Sequence, residues 1–183
     1  MSDDAFRNEM EEIVNRGRIE QRERIDQFQR QQRHFWKQAA GDIVDDMFLS
    51  REIATNLLED AYASIRSTAV EVLTQVWRVQ RLPEFRRKFE TMALTDPEPS
   101  VRASAVIALG NCYADSQDAE MGRFFGRIVS DESTQTSIRE AAYHALFSVR
   151  GLLPHLVECY LSGFQFPSDV DWSFVSQCVN DTF

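Results

Sequence analysis

The side chains best suited to catalysis or metal binding in this sequence are its three histidines and three cysteines. His155 and Cys159 stand four residues apart, a spacing that brings both side chains to one face of a helix. A zinc site needs further ligands at suitable spacing, and a Cys–His nucleophile pair needs a group that orients the base. Neither is found, and the chain has no phosphate-binding glycine loop or Gly-x-Ser-x-Gly motif. We therefore predict no catalytic residue, no metal ligand and no cofactor.

Aspartate and arginine recur at a nearly fixed spacing in the middle of the chain. The repeated acids are Asp60, Asp96 and Asp131, and the repeated arginines are Arg66, Arg102 and Arg139. An aliphatic residue precedes each Arg, at positions 65, 101 and 138, so the periods are 36 and 37 residues. Periods in this range are typical of stacked helical hairpins. We expect these charged residues to cap helices and to bond from one repeat to the next as a ladder.

Residues 96–110 show the pattern of one repeat most clearly. Pro97 and Pro99 exclude the preceding residues from a helix, so a helix is predicted to begin at Pro99 or Ser100. Apolar residues at 101, 105, 108, 109 and 112 then form one stripe along that helix. In all three repeats Ala stands four residues after the start and Leu eight residues after it. Small Ala at this position allows neighbouring helices to approach closely.

These residues resemble HEAT repeats, especially the bilin-lyase-like subgroup with its D-P-x-x-x-V-R-x-x-A-x-x-A-L-G pattern. Residues 96–110 match nearly every position, and residues 60–73 lack the Pro after Asp and the Gly after Leu. Residues 131–146 carry a two-residue insertion between Asp and the Ile-Arg pair. The resemblance implies an all-α fold, a right-handed α-α superhelix (HEAT-like solenoid) of about three helical hairpins. It selects no single function, since the family includes scaffolds, adaptors, lyases and glycosylases.

The predicted organisation adds one segment at each end of these hairpins. Residues 1–40 are expected to form a charged N-terminal helical extension, and residues 41–183 the HEAT-like repeat domain. Inner helices are predicted at about 64–80, 99–113 and 136–149, and a C-terminal cap helix at about 168–180. Three possibilities stay open for this extension. It packs on the first repeat, it forms a self-associating coiled coil, or it becomes ordered only on binding.

The charge of the chain argues against a nucleic-acid partner. The net charge is −9, and residues 1–37 hold eight basic and eight acidic side chains, so residues 38–183 carry all of it. A surface that binds phosphates needs clustered Lys and Arg. We therefore expect a protein partner that is basic or amphipathic, and no nucleic acid.

Hydropathy and cysteine content indicate the compartment. No apolar run approaches the ~20 residues of a membrane span, and the first residues lack the apolar core of a signal peptide. The three cysteines form an odd number without a Cys-x-x-Cys motif, and we interpret them as reduced thiols. We expect no membrane partner and a cytoplasmic location.

Helix periodicity selects a set of partner-binding residues on the inner helices. The positions six and ten residues after each repeat start point away from the core, towards the concave side that solenoids use for binding. These positions hold Glu71, Gln75, Ile107, Asn111, His144 and Ser148. We predict a non-enzymatic protein–protein interaction module, a small adaptor or inhibitor, that presents an acidic concave helical face to a basic or amphipathic partner segment.

Two other functions stay open at the level of sequence. The resemblance to bilin lyases implies, as one alternative, a bilin-lyase-like subunit or a chaperone for a chromophore protein. Enzyme activity is therefore an open alternative. A structural homo-oligomer, built through the N-terminal helix at residues 3–40, is the other.

Overall fold

The computed structural model describes residue 27 and residues 30–79 and 82–180 of the 183-residue chain. Across these residues the regular structure is helical, without a β-strand. None of the helices that they form is long and apolar enough to cross a membrane. The chain divides into two compact units, Met1–Asp45 and Asp46–Phe183. Most of the predicted extension lies outside the described residues, and its boundary at residue 40 stays a prediction.

In the first unit, residues 30–40 are helical (α1), and Arg33 and Lys37 of this helix form an ion-pair cluster with Asp45. The Asp45 carboxylate accepts hydrogen bonds from Arg33 Nη2 and Lys37 Nζ, both at 2.7 Å. The hydrogen bonds from Lys37 and then Arg33 lower the pKa of Asp45 below its usual value. These side chains are partly exposed, so the cluster contributes little to stability.

The remaining helices follow one another with short connections. They are α2 (Ile43–Leu49), α3 (Arg51–Asn56), a 3₁₀ turn (Leu57–Glu59), α4 (Ala63–Gln75), α5 (Pro83–Thr95), α6 (Pro99–Cys112), α7 (Ala119–Ser130), α8 (Thr136–Val149), α9 (Leu153–Leu161) and α10 (Trp172–Asn180). Proline lies in the first turn of α5, α6 and α9, where its missing N–H costs no hydrogen bond. Asp118 caps α7 by accepting from Met121 N at 2.9 Å.

Helix α6 has more helical neighbours than most helices of the second unit. This helix lies against α4 and against α8, while α5 packs on α6, α7 packs on α8, and α10 packs on both α7 and α8. The Ala and Leu positions that recur in the three repeats are fully buried: Ala69, Ala105, Ala142, Leu73, Leu109 and Leu146. The predicted apolar stripe of the inner helices is therefore confirmed as the core.

Helices α6 and α8 approach each other closely at Gly110. A Cβ atom at this position would lie 2.7 Å from the Cβ of Ala145, which is closer than two carbon atoms can pack. Ser148 Oγ donates a hydrogen bond to Gly110 O at 3.0 Å and joins the same two helices. Glycine is needed here for space, since the backbone conformation is helical.

The predicted ladder is formed between the first and second repeats. Arg66 donates from Nε and Nη2 to the two carboxylate oxygens of Asp96, at 2.9 and 2.7 Å. Its Nη1 donates to Asp60 O at 2.9 Å. The Arg66 and Asp96 side chains are 11% and 7% exposed, so this bidentate ion pair is largely buried. The link between these repeats is confirmed.

The corresponding link between the second and third repeats is absent from the described residues, and the ladder prediction is wrong there. Arg102 Nη1 donates instead to Asp96 O at 2.6 Å. The Asp131 carboxylate accepts from Ser133 N, Ser133 Oγ and Thr134 Oγ1, at 3.0, 2.7 and 2.9 Å. Because the two-residue insertion follows Asp131, this carboxylate closes on its own loop. Arg139 Nε correspondingly donates to Val129 O at 2.9 Å.

Two helix ends differ from the prediction. The first inner helix ends at Gln75 and not near residue 80, and Arg78, three residues further on, has a left-handed φ of 48°. The final helix begins at Trp172 and not near residue 168. Asp171 caps it by accepting from Phe174 N at 3.0 Å, and the preceding residues form a turn closed by Gln165 N and Asp169 Oδ2 at 2.8 Å.

The ladder contact leads to a comparison between equivalent arginines. Arg66→Ala should lower the free energy of unfolding by about 3 kcal/mol, because Asp96 loses its partner in a buried ion pair. Arg102→Ala removes hydrogen bonds to backbone carbonyls and should cost about 1 kcal/mol. Urea unfolding followed by circular dichroism measures both values. Equal losses in the two variants would contradict the special role of the Arg66–Asp96 pair.

The close approach at Gly110 can be tested by adding and then removing one methyl group. Gly110→Ala should destabilise the protein by about 2 kcal/mol, although Ala normally favours a helix over Gly. Adding Ala145→Gly to this variant should recover part of the loss, since it removes the opposing Cβ atom. Gly122→Ala is the comparison variant, because its new Cβ would meet the Nη2 end of the Arg150 side chain at 2.9 Å and not a Cβ atom of a neighbouring helix. Thermal unfolding of the four proteins distinguishes these outcomes.

Candidate functional site

The six residues predicted to bind a partner line two neighbouring hollows on α4, α6 and α8. A hollow of about 210 Å³ between α4 and α6 is bordered by Glu71, Gln75, Ile107 and Asn111. A second hollow of about 230 Å³ between α6 and α8 is bordered by Ile107, Asn111, His144 and Ser148. The two hollows are neighbours, since Ile107 and Asn111 border both of them, and we call the pair the repeat groove.

Ile107 is the apolar centre of the repeat groove. Its side chain is 51% exposed, although it stands in the middle of an otherwise well-packed helix. Gln75 and Asn111 are also exposed, while Glu71 and His144 are half-buried. The groove thus offers one large apolar side chain between two exposed amides.

The prediction that the Ser148 side chain faces outward is wrong. Its side chain is 5% exposed, and its hydroxyl donates to Gly110 O, so it forms the floor of the groove. Helical periodicity placed this residue on the outside, but the close approach of α6 and α8 at Gly110 covers it. Its hydroxyl is engaged within the protein and is not offered to a partner.

The repeat groove carries less negative charge than the sequence suggests. Among the described residues that line it, Glu71 is the only carboxylate. The negative charge of residues 38–183 therefore lies mostly outside the groove. Its lining favours apolar and hydrogen-bonding groups of a partner over a densely basic segment.

His144 belongs to a hydrogen-bonded chain that the sequence analysis did not find. His144 Nε2 lies 2.5 Å from the Tyr160 hydroxyl, which donates to Glu140 Oε1 at 2.8 Å. Because the tyrosine hydrogen goes to Glu140, His144 Nε2 carries the hydrogen it donates to the Tyr160 oxygen. Burial lowers the pKa of His144, and the nearby Glu140 opposes this only in part. His144 is therefore a neutral residue held in place by α9.

An exposed apolar stripe on α9 adjoins the repeat groove. Leu153, Val157 and Leu161 are 42%, 55% and 84% exposed, and their spacing of four residues places them on one face of the helix. Leu153 also lines the hollow between α6 and α8. We call these three residues the α9 stripe. The four-residue spacing of these side chains is visible in the sequence.

The residues first considered for chemistry are not assembled into a reactive site. His155 is exposed and Cys159 is half-buried, and the described part of the chain contains no cluster of three or more His, Cys, Asp or Glu able to hold a metal ion. Cys112, Cys159 and Cys178 are free thiols. Burial raises the pKa of Cys112 to about 12, which keeps this thiol protonated at neutral pH.

No protein-family model, curated protein or solved structure matches this chain. The surfaces are therefore interpreted from their own geometry.

The buried His144 should make stability depend on pH. Its pKa in the folded protein is lowered, so below the ordinary value of about 6.5 the unfolded chain binds the proton first. The free energy of unfolding should therefore fall as the pH decreases below about 6.5. His144→Gln should reduce this slope, whatever its effect on stability at neutral pH. Urea unfolding at several pH values measures it, and an identical slope in both proteins would contradict the assignment.

Proposed function

We propose that α4 to α9 form a HEAT-type solenoid, a right-handed stack of helical hairpins, and that the protein is a non-enzymatic interaction module. Three observations support this arrangement: the recurring buried Ala and Leu, the packing of α6 between α4 and α8, and the Arg66–Asp96 link. Helix α10 then acts as the cap, since Phe174, Val175 and Cys178 bury its apolar side against the preceding helices.

The exposure of Ile107 in the repeat groove is the observation that carries the functional proposal. The apolar surface continues from Ile107 through Leu153 to the rest of the α9 stripe. Contiguous exposed apolar residues with a polar border are typical of interaction sites. Gln75 and Asn111 supply that polar border.

A helical segment of another protein is the partner that suits this surface. The two hollows follow one another across three helices and are open to solvent, which suits a row of side chains better than one small molecule. An amphipathic helix presents such a row through anchors three or four residues apart. We propose that the protein acts as an adaptor or inhibitor that holds this segment in the repeat groove and along the α9 stripe.

Charge has a separate role in this proposal. The net charge of −9 attracts a basic partner and raises the rate of encounter, an effect that salt weakens. The groove itself holds one carboxylate among its described lining residues, so apolar contacts supply most of the affinity. An amphipathic partner segment with flanking basic residues satisfies both conditions.

Photo-crosslinking with paired variants tests this proposal. A photoreactive residue replacing the exposed Asn111 should crosslink one protein in a lysate of the source organism. Ile107→Asp should reduce the crosslink at least about tenfold, because a carboxylate would be buried against the apolar side of the partner.

Leu94→Asp is the matched control for this experiment. Leu94 is 59% exposed and lies on α5, outside the repeat groove, so the same change there should leave the crosslink unaltered. Loss of the crosslink in both variants would assign it to charge or folding and not to the groove. A crosslink that survives Ile107→Asp, or no crosslink at Asn111, would refute binding in the groove.

A further inference from the structure

The hollow between α6 and α8 has room for one side chain of a partner. Its volume of about 230 Å³ lies below that of a typical site for a drug-sized molecule. The buried residues Gly110, Ala145 and Ser148 form its floor. Ile107 and Leu153, which are 51% and 42% exposed, border it with apolar surface. This space suits one anchoring side chain better than a free small molecule.

The same hollow is electrically neutral. Among the described residues that line it there is no Asp, Glu, Lys or Arg, and its polar members are Asn111, His144 and Ser148. His144 is uncharged at neutral pH, because burial lowers its pKa. A Lys or Arg side chain entering the hollow would lose its water without gaining a carboxylate. Charge complementarity therefore favours a neutral anchor here.

Two polar groups at this hollow have unused hydrogen-bonding capacity. His144 donates from Nε2 to the Tyr160 oxygen, so its Nδ1 carries a lone pair that can accept a hydrogen bond. Neither His144 Nδ1 nor the side-chain amide of Asn111 makes a hydrogen bond to any residue that the structure describes. The hydroxyl of Ser148 is in contrast already engaged with Gly110 O. A partner group that enters the hollow thus meets an unpaired acceptor.

The ring that carries this acceptor is held in place by α9. The Tyr160 ring meets the His144 ring edge to face, with 4.9 Å between their centres, and its oxygen lies 2.5 Å from Nε2. Tyr160 is fixed in turn, since its hydroxyl donates to Glu140 Oε1 at 2.8 Å. His144 therefore loses little side-chain freedom when a partner binds, which favours affinity.

We propose that the hollow between α6 and α8 binds the indole ring of a tryptophan side chain, whose N–H donates to His144 Nδ1. The assignment rests on the function proposed above and names the anchor residue of the partner helix. Indole has one N–H donor and no acceptor, so it pairs with Nδ1 without bringing an unpaired group of its own. A Leu or Phe anchor would cover Nδ1 and leave it unpaired, which is costly. Tryptophan is also enriched among the residues that dominate binding energies at interfaces.

Two soluble probes that differ in one ring atom test the proposal on the unaltered protein. N-acetyl-tryptophanamide carries the indole, and its 3-benzothienylalanine analogue replaces the N–H by sulfur and cannot donate. Titrations followed by ¹H–¹⁵N NMR should show the tryptophan probe binding about fivefold more tightly, with the largest shifts at Gly110 and Asn111. Equal affinities, shifts confined to other parts of the chain, or no binding at millimolar concentration would overturn the proposal. Tighter binding of N-acetyl-tyrosinamide would also overturn it.

A pair of variants locates the hydrogen bond. His144→Phe keeps a ring beside Tyr160 but has no nitrogen, so the fivefold preference for the tryptophan probe should fall to about one. The benzothienyl probe should bind this variant as before. Asn111→Ala is the matched control and should leave the preference unchanged. A preference that survives His144→Phe but disappears in Asn111→Ala would assign the hydrogen bond to the amide and contradict the proposal.

The ratio of the two affinities is a sound measure even in a destabilised variant. Both probes bind the same folded fraction, so partial unfolding weakens both apparent affinities by the same factor. If His144→Phe binds neither probe, the comparison on the unaltered protein still decides.

The indole site and the partner proposal can fail separately. A crosslink at Asn111 that Ile107→Asp removes, together with equal affinities for the two probes, would support partner binding and refute the tryptophan anchor. A preference for the tryptophan probe without any crosslink would support the indole site and refute the partner helix.

Discussion

The close packing of α4, α6 and α8 is the constraint on which the other features depend. Alanine at the same position of each repeat and glycine at Gly110 bring these helices together. Where the backbones are this close, the outward side chains diverge and leave the hollows of the repeat groove between them. The same closeness turns Ser148 from a surface residue into a hydrogen-bonded part of the floor. Core packing thus decides the shape of the candidate binding surface.

The joints between neighbouring repeats differ in chemistry. The first and second repeats are joined by the buried Arg66–Asp96 pair. In place of a second such pair, the loop before α7 bonds to the end of α8, with Asp115 N donating to Ser148 O at 2.8 Å and Gln117 N to Val149 O at 3.0 Å. These bonds satisfy carbonyl groups that a helix end leaves without partners. These backbone hydrogen bonds hold the loop before α7 against the end of α8, where the ladder contact is absent from the described residues.

Helix α8 borders two hollows of the surface. His144 faces the repeat groove, while its neighbour Tyr143 lines the cavity between α8, α9 and the segment that leads into α10. Tyr160 of α9 bonds to His144, and its ring also lies 4.9 Å from that of Phe164. A shift of α9 would therefore alter both hollows.

Local pattern was sufficient to place the repeat helices approximately and to identify their buried stripe. Periodicity depends on the geometry of a single helix, so the outward positions of Glu71, Gln75, Ile107 and Asn111 could be predicted from the sequence. It could not reveal the burial of Ser148 or the Tyr160–His144 contact, because each requires residues from different helices. The absence of the ladder contact between the second and third repeats, among the described residues, likewise depends on how neighbouring elements pack. The same holds for the exposure of the α9 stripe. The sequence alone determined where the repeat helices lie, to within a few residues, and which side of each is apolar. Tertiary packing decided which outward positions stay accessible, because burial there is set by the neighbouring helix.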